Sequence, residues 1–298
     1  MRCPRLICLL PAVTLTPPLT GRSETVRRYP PLPLEGAAPY APQASCFLPE
    51  EQGYEDGSLS VRVETFRRFD TTIMAVRGAL TDPRQFRTTL AARPPSKKAQ
   101  AVTSMAIRNT AVLAINGDYF SYHAGGVVVR NGKQWRNRSD GKRDILVVDT
   151  AGNLTTLPLC AREDFEAFPG KVMHAFCFGP ALVREGLALD SLEQVYMDIA
   201  PKKPTQRIAI GQTGPLTCLI LAMEGPENEG SVGLTILEMA QLCQEMGCLN
   251  AYNLDGSSSS TVALNGKKIN ALSTGKIRPV GDCIYFATLI GEGTEETQ

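Results

Sequence analysis

The chain has 298 residues and a formal net charge of +1, with 31 lysines and arginines against 30 aspartates and glutamates. That balance argues against a nucleic-acid binder, which needs a basic surface. Two histidines, His123 and His174, cannot build a His-rich metal centre, and no run of about 18 apolar residues offers an ordinary transmembrane helix.

Arg2 and Arg5 precede a short apolar run from Leu6 to Leu15, the charged start and apolar core of an export signal. Pro17, Pro18, Pro30, Pro31, Pro33, Pro39 and Pro42 follow and predict an extended linker. Residues 1–44 are therefore expected to be a weak export signal and linker, and 45–298 one domain. Export would place the protein outside the cytoplasm or at the cell envelope; a disordered cytosolic start is the alternative.

Beyond Cys46 short strands alternate with a few helices. Residues 60–66 alternate apolar and polar, as a half-buried strand does. Asp82-Pro83 is a helix-start signal, and Lys97 to Thr110 reads as a helix with Ala101, Met105 and Ala106 on one face. Ala111–Ile115 is an apolar run of buried-strand length. Gly126–Arg130 leads into Asn131-Gly132, a hairpin-type turn. Ile145–Asp149 with Ala151-Gly152 reads in the same way, and strands are expected at Ile208–Ile210 and Leu216–Met223. Thr235 and Glu238 form a capping box opening a helix with Ile236, Leu237, Ala240 and Cys243 at helical spacing, ending near Gly247. Leu249–Leu254 and Cys283–Leu289 are the last strands. No internal repeat is present. The expected fold class is α+β: a single mixed α/β domain with a multi-stranded sheet and two or three packed helices.

The nine cysteines contain no C-x-x-C pair. Buried free thiols are the first reading; one or two disulfides are the alternative in an exported protein. A Cys243–Cys248 bridge would require the helix to end between them.

Chemistry concentrates in two segments. Asn116-Gly117-Asp118-Tyr119-Phe120 and Asn253-Leu254-Asp255-Gly256 each put an Asn and an Asp two residues apart at the end of an apolar strand. Residues i and i+2 of a strand point the same way, so each pair would present an amide beside a carboxylate. Turns after strands also favour these residues, which is the plain structural alternative. Ser257, Ser258, Ser259, Ser260 and Thr261 add hydroxyls and N–H groups able to cradle a phosphate oxygen. Arg207, in Arg-Ile-Ala-Ile-Gly, is either a solvated charge or a two-pronged donor to a phosphodiester.

Taken in order, these segments resemble the phosphodiester glycosidase family. The resemblance lies in an apolar strand ending in Asn-Gly-x-aromatic-Phe, an Arg-x-Ala-Ile-Gly segment, and Asn-Leu-Asp-Gly-Gly-x-Ser-Ser/Thr. Residues 179–183 and 230–240 also match in type and order, and the resemblance runs from about Thr103 to Phe286. Two positions depart from the pattern. Ser257 stands where the family has a second glycine, and Glu224-Gly225 occupies the place of a frequent Asp-Gly. A side chain at 257 is costly if that backbone has positive φ.

The resemblance implies hydrolysis of a sugar-1-phosphodiester to free sugar, N-acetylhexosamine-like, and a phosphomonoester, on envelope or exopolysaccharide glycans. The leaving phosphate departs as an anion, so little proton donation is needed. A carboxylate at the sugar carbon and charge stabilisation of the phosphate are needed instead. Asp255 is expected in the first role, with Asp118 as second carboxylate, and Arg207 in the second, with the Ser257–Ser260 loop assisting. Glu224 is a further candidate base. Asn116 and Asn253 would hold sugar hydroxyls or the N-acetyl group. Gly117, Gly256, Ser257, Ser258, Ser259 and His123 would line the substrate, and Tyr119 or Tyr122 would stack on it. His174 is expected to be structural. No cofactor, metal or nucleic acid is implied; the partner is a sugar phosphodiester or phosphoglycan. Two other functions fit: a catalytically silent glycan-binding module, and a phosphoesterase releasing sugar phosphate.

Overall fold

A computed structural model describes residues 38, 40–94, 96–193, 195, 200–271 and 275–291. The expected export signal and most of the proline-rich linker lie outside the described residues. The architecture is sheet-dominated α+β. An eight-stranded sheet runs in the order Gly53–Glu55, Leu59–Arg68, Thr71–Leu80, Thr217–Met223, Arg207–Gly214, Asn250–Leu254, Ala181–Arg184, Leu187–Ala188. A five-stranded sheet has the order Lys133–Arg138, Gly126–Arg130, Val172–Phe176, Ile145–Asp149, Leu154–Leu157. A second five-stranded sheet has the order Lys267–Lys268, Val262–Leu264, Leu113–Asn116, Asp282–Phe286, Phe86–Leu90. All described strand pairs are antiparallel.

Alternation sorts the side chains into layers. Ile208, Ile210, Tyr252 and Leu254 turn inward to a core shared by all three sheets, with Val76, Ile115, Val148, Phe176 and Phe286. Ala209, Ala251, Leu219 and Leu221 turn to the opposite face, under helix Ile236–Glu245. Full burial of each large aliphatic side chain contributes about 1.5–3 kcal/mol. Helix Val102–Arg108 covers the second five-stranded sheet with Met105 and Ala106. Helix Arg162–Glu166 places Phe165 against the first. The strands Leu113–Asn116 and Gly126–Arg130 are buried throughout, as uninterrupted apolar runs require.

The local signals hold with instructive shifts. Asn131 and Gly132 adopt φ of 50° and 75° and join their strands in a tight hairpin, and Thr235 and Glu238 form the expected capping box. Asp82 caps only one 3-10 turn, Pro83–Gln85, before the chain becomes a strand pairing Phe86–Leu90 with Asp282–Phe286. The helix expected from Lys97 starts at Val102, because Gln100 is held extended against Val280. Seven cysteines are described, all as free thiols. The helix does end between Cys243 and Cys248, whose buried thiols share a hydrogen bond.

Candidate active site

The two Asn-x-Asp segments meet. Strand Leu113–Asn116 pairs with Val262–Leu264, which brings the chain after Asn253-Leu254-Asp255 back beside Asn116. The Asn116 amide donates to the Asp255 carbonyl at 2.8 Å and accepts from the Thr261 N–H at 3.0 Å. Asn116 is completely buried. Its task is to lock the two segments together, and the sugar contact expected of it is replaced by this backbone clamp.

Three carboxylates gather at this junction: Asp118, Asp255 and Asp282. Asp118 accepts from the Phe120 N–H and the Cys177 N–H, both at 2.9 Å, and lies 3.3 Å from Arg130 Nη2. Asp282 Oδ2 accepts from Arg130 Nε at 2.7 Å and pairs with Nη2 at 2.6 Å. Arg130 also donates to the carbonyls of Val129 and Ala175, and its guanidinium stacks 4.1 Å from the Phe176 ring centre. The side chains of Asp118 and Asp282 are 0% exposed. Burial works against the Arg130 charge, but Asp282 and Asp118 together outweigh it and hold the guanidinium pKa above its usual value. Asp282 is raised, first by burial and then by its like-charged neighbours Asp118 and Asp255, against the pull of Arg130. Asp282 Oδ1 has no partner among the described residues. Gly117 is required beside it, since a Cβ at that position would collide with the Asp282 carboxyl.

Asp255 alone of the three reaches solvent, with a side-chain exposure of 11%. Its oxygens lie 3.3 Å from Arg278 Nη2, and the Ser259 hydroxyl donates to it. Ser259 in turn accepts from Arg278 Nε at 2.7 Å. Burial raises the Asp255 pKa, Ser259 and Arg278 pull it down, and Asp118 pushes it up again. The Arg278 side chain is 42% exposed, so a cation stands at the mouth of an otherwise sealed acidic cluster.

Other expected site residues sit elsewhere. Arg207 is buried and donates to the carbonyls of Leu234 (2.8 Å), Ala200 (3.0 Å) and Lys203 (3.0 Å). Burial drives its pKa down to about 10. Arg207 is a scaffold for the 200–207 turn. We expect Arg207→Gln to lose about 1–3 kcal/mol, since three carbonyls lose their donor, while KM per folded molecule is unchanged. Denaturant titration beside steady-state kinetics checks both. Glu224 accepts from the Ser231 hydroxyl at 2.7 Å and lines a separate cavity of about 200 Å³ with Thr72 and Asn270. The Asn253 amide donates to the Gly179 carbonyl at 2.6 Å, and its buried Oδ1 has no partner among the described residues. His123 is partly buried beyond Asp118; burial lowers its pKa and Asp118 opposes that. His174 is buried between Thr88 and the Phe86 carbonyl, a structural position as expected.

The serine loop forms one 3-10 turn, Ser257–Ser259. Three of its N–H groups are already engaged: Ser257 with the Gln206 carbonyl, Ser259 with Gly256, Ser260 with Ser257. A backbone phosphate cradle is therefore not what the turn offers; its Ser259 hydroxyl and the Gly256 carbonyl hold Arg278. Gly256 has no room for a side chain, since a Cβ would lie 2.8 Å from the Gln206 carbonyl oxygen. Ser257 adopts φ 55°, the left-handed region anticipated for the family's glycine. That conformation costs an L residue about 1–2 kcal/mol, and the stiffer unfolded chain offsets about 0.4–1 of it. Ser257→Gly should thus stabilise by up to about 1 kcal/mol without changing turnover, as thermal unfolding and kinetics would register. Among the described residues no three His, Cys, Asp or Glu side chains are placed to hold a metal ion.

Comparison with known proteins fits this geometry. A family model for phosphodiester glycosidases matches residues 109–287, well over half of the chain and all three carboxylates. The chain belongs to the phosphodiester glycosidase family. As a member it is a hydrolase. It is 35% identical over 114 residues to the SPbeta prophage-derived uncharacterized protein YomE of Bacillus subtilis (strain 168), 38% of this chain and 17% of that protein's length. Its fold is similar to the zebrafish N-acetylglucosamine-1-phosphodiester alpha-N-acetylglucosaminidase catalytic domain auto-inhibited by its pro-peptide. There the TM-score is 0.63 and identity 16%, over 84% of this chain and 87% of the other. A hypothetical protein from Synechocystis is similar at TM-score 0.58 and 14% identity, over 76% and 62% of the two chains.

The missed site residues, Arg130, Asp282 and Arg278, left faint traces in the sequence. Arg130 ends three consecutive valines, a place where a charge needs a buried partner, and Asp282 opens the last apolar strand. Which carboxylate meets which arginine depends on sheet order.

Proposed function

We propose that this phosphodiester glycosidase hydrolyses a sugar-1-phosphodiester between the anomeric carbon and oxygen, giving free sugar and a phosphomonoester. The observation that carries the reading is Asp255, the one partly exposed carboxylate of the cluster, held between the Ser259 hydroxyl and the Arg278 guanidinium. Asp255 acts at the anomeric carbon, and Arg278, in place of Arg207, takes the negative charge of the departing phosphate. Asp118 and Arg130 fix the field behind Asp255. The phosphate leaves as an anion, so no strong general acid is needed. The sugar is an N-acetylhexosamine and the natural substrate an envelope or exopolysaccharide glycan met outside the cytoplasm; the zebrafish relative's named substrate and the charged, apolar start of the chain support this. Incubation with an N-acetylglucosamine-1-phosphodiester tests the reading. Free sugar plus phosphomonoester is expected. Sugar phosphate would identify a phosphoesterase, and binding without release a silent glycan-binding module.

A further inference from the structure

A larger cavity, about 690 Å³, adjoins the acidic cluster through the segment that follows Asp118. Phe120 to Ala124 form one wall and Gln134 to Arg138 another. That volume suits a ligand larger than one sugar. Lys97, Arg136, Arg138 and Arg162 line it, and among the described residues no carboxylate does. Glu166 neutralises Arg162 at 2.8 Å, so the excess positive charge rests on the other three. Lys133 adds a charge over the Trp135 ring, 4.4 Å from its centre.

The lining carries unused polar groups. Arg136 donates through Nη1 to the carbonyls of Phe120 (3.1 Å) and His123 (2.7 Å), which fixes the guanidinium; its Nε and Nη2 are buried with no partner among the described residues. His123 Nε2 and Asn137 Oδ1, of residues in the same lining, are also buried with no partner among the described residues. Such buried groups ordinarily meet an ordered water, an ion or a ligand. The charge of this held guanidinium, with Lys97 and Arg138 on the same lining, favours a phosphate in the cavity. Trp135 and Tyr122, the latter stacked on Tyr119 at 4.6 Å, supply ring surface for a sugar.

We propose that this cavity binds a second phosphate of the substrate together with the sugar that carries it, so that the preferred substrate is a chain of sugars joined by phosphodiesters. The inference rests on the assignment of Asp255 and Arg278 as the reacting end.

Trp135 is the single tryptophan of the chain, so its emission reports on the cavity directly. The Asp255→Asn protein would be titrated with a synthetic trimer of N-acetylglucosamine joined by phosphodiesters, and with neutral chitotriose. Saturable change with the trimer, at least about tenfold tighter than with chitotriose and weakening with salt, is expected for charge-assisted contacts. Lys97→Gln/Arg138→Gln should bind the trimer roughly tenfold more weakly. Equal affinity for trimer and chitotriose, or unchanged trimer binding in the double variant, overturns the proposal. The two readings fail separately. Sugar release from a single phosphodiester without any trimer preference removes the anion site alone. A salt-sensitive Trp135 response without sugar release from any phosphodiester removes the catalytic reading and leaves the anion site standing.

Discussion

Asp255→Asn is expected to cut turnover of a sugar-1-phosphodiester by about a thousandfold or more, the scale for loss of an essential carboxylate. The fold should survive the change. Asp255 stands in like-charge company with Asp118 and is raised by burial, so removing its charge relieves repulsion and leaves Arg278 exposed to solvent. Thermal unfolding should therefore show the variant at least as stable as the wild type while product formation collapses. Full turnover in a folded Asp255→Asn protein would falsify its role. The pH profile supplies a second check. If Asp255 works as the anion, activity falls as pH drops through its pKa, and because that pKa is raised the acid limb lies above the ordinary carboxylate range. Ser259 pulls this pKa down. Ser259→Ala should therefore move the limb further toward neutral pH, the opposite direction from a merely looser site.

Arg130→Met is expected to destabilise the protein by about 3–5 kcal/mol, the cost of stripping a buried charge network of its cation. The reason is geometric. Arg130 makes two contacts to Asp282, one to Asp118 and two to backbone carbonyls, with both aspartate side chains fully buried. With the guanidinium gone, the two carboxyls can remain buried only by taking up protons. A carboxyl whose folded pKa lies above its unfolded value adds stability at low pH and loses it as pH rises through the folded pKa. The loss in Arg130→Met should accordingly be smaller near pH 4 than near pH 7, as urea titrations at the two values would measure. Adding Asp282→Asn to Arg130→Met should recover part of the stability at pH 7. A deficit independent of pH, with no recovery in the double variant, would mean that lost packing on Phe176 dominates instead.

Much of this molecule is legible one segment at a time. Apolar runs such as Ala111–Ile115 and Ile145–Asp149 announce buried strands, Asn131-Gly132 announces a hairpin, and Thr235 with Glu238 announces a helix start. These signals act over a few residues, and the neighbouring chain satisfies them on its own. Misplaced boundaries occur where a distant partner overrides local preference. Asp82-Pro83 yields to a strand because Phe86–Leu90 completes the sheet beside Asp282–Phe286.

The site divides along the same line. The sequence by itself determined the chemistry available, two Asn-x-Asp segments at strand ends and a serine turn, and through their order the family. Only the tertiary structure decided the partners. Arg207, Arg130 and Arg278 are equivalent as letters, yet one caps three carbonyls, one pairs with two buried aspartates and one stands at the surface beside Asp255. An arginine is placed by the carboxylates and carbonyls that surround it, and here those arrive from strands separated by as many as 152 positions, Arg130 to Asp282. Charge pairing acts across space at a few ångströms, whereas sequence patterns report only on neighbours along the chain.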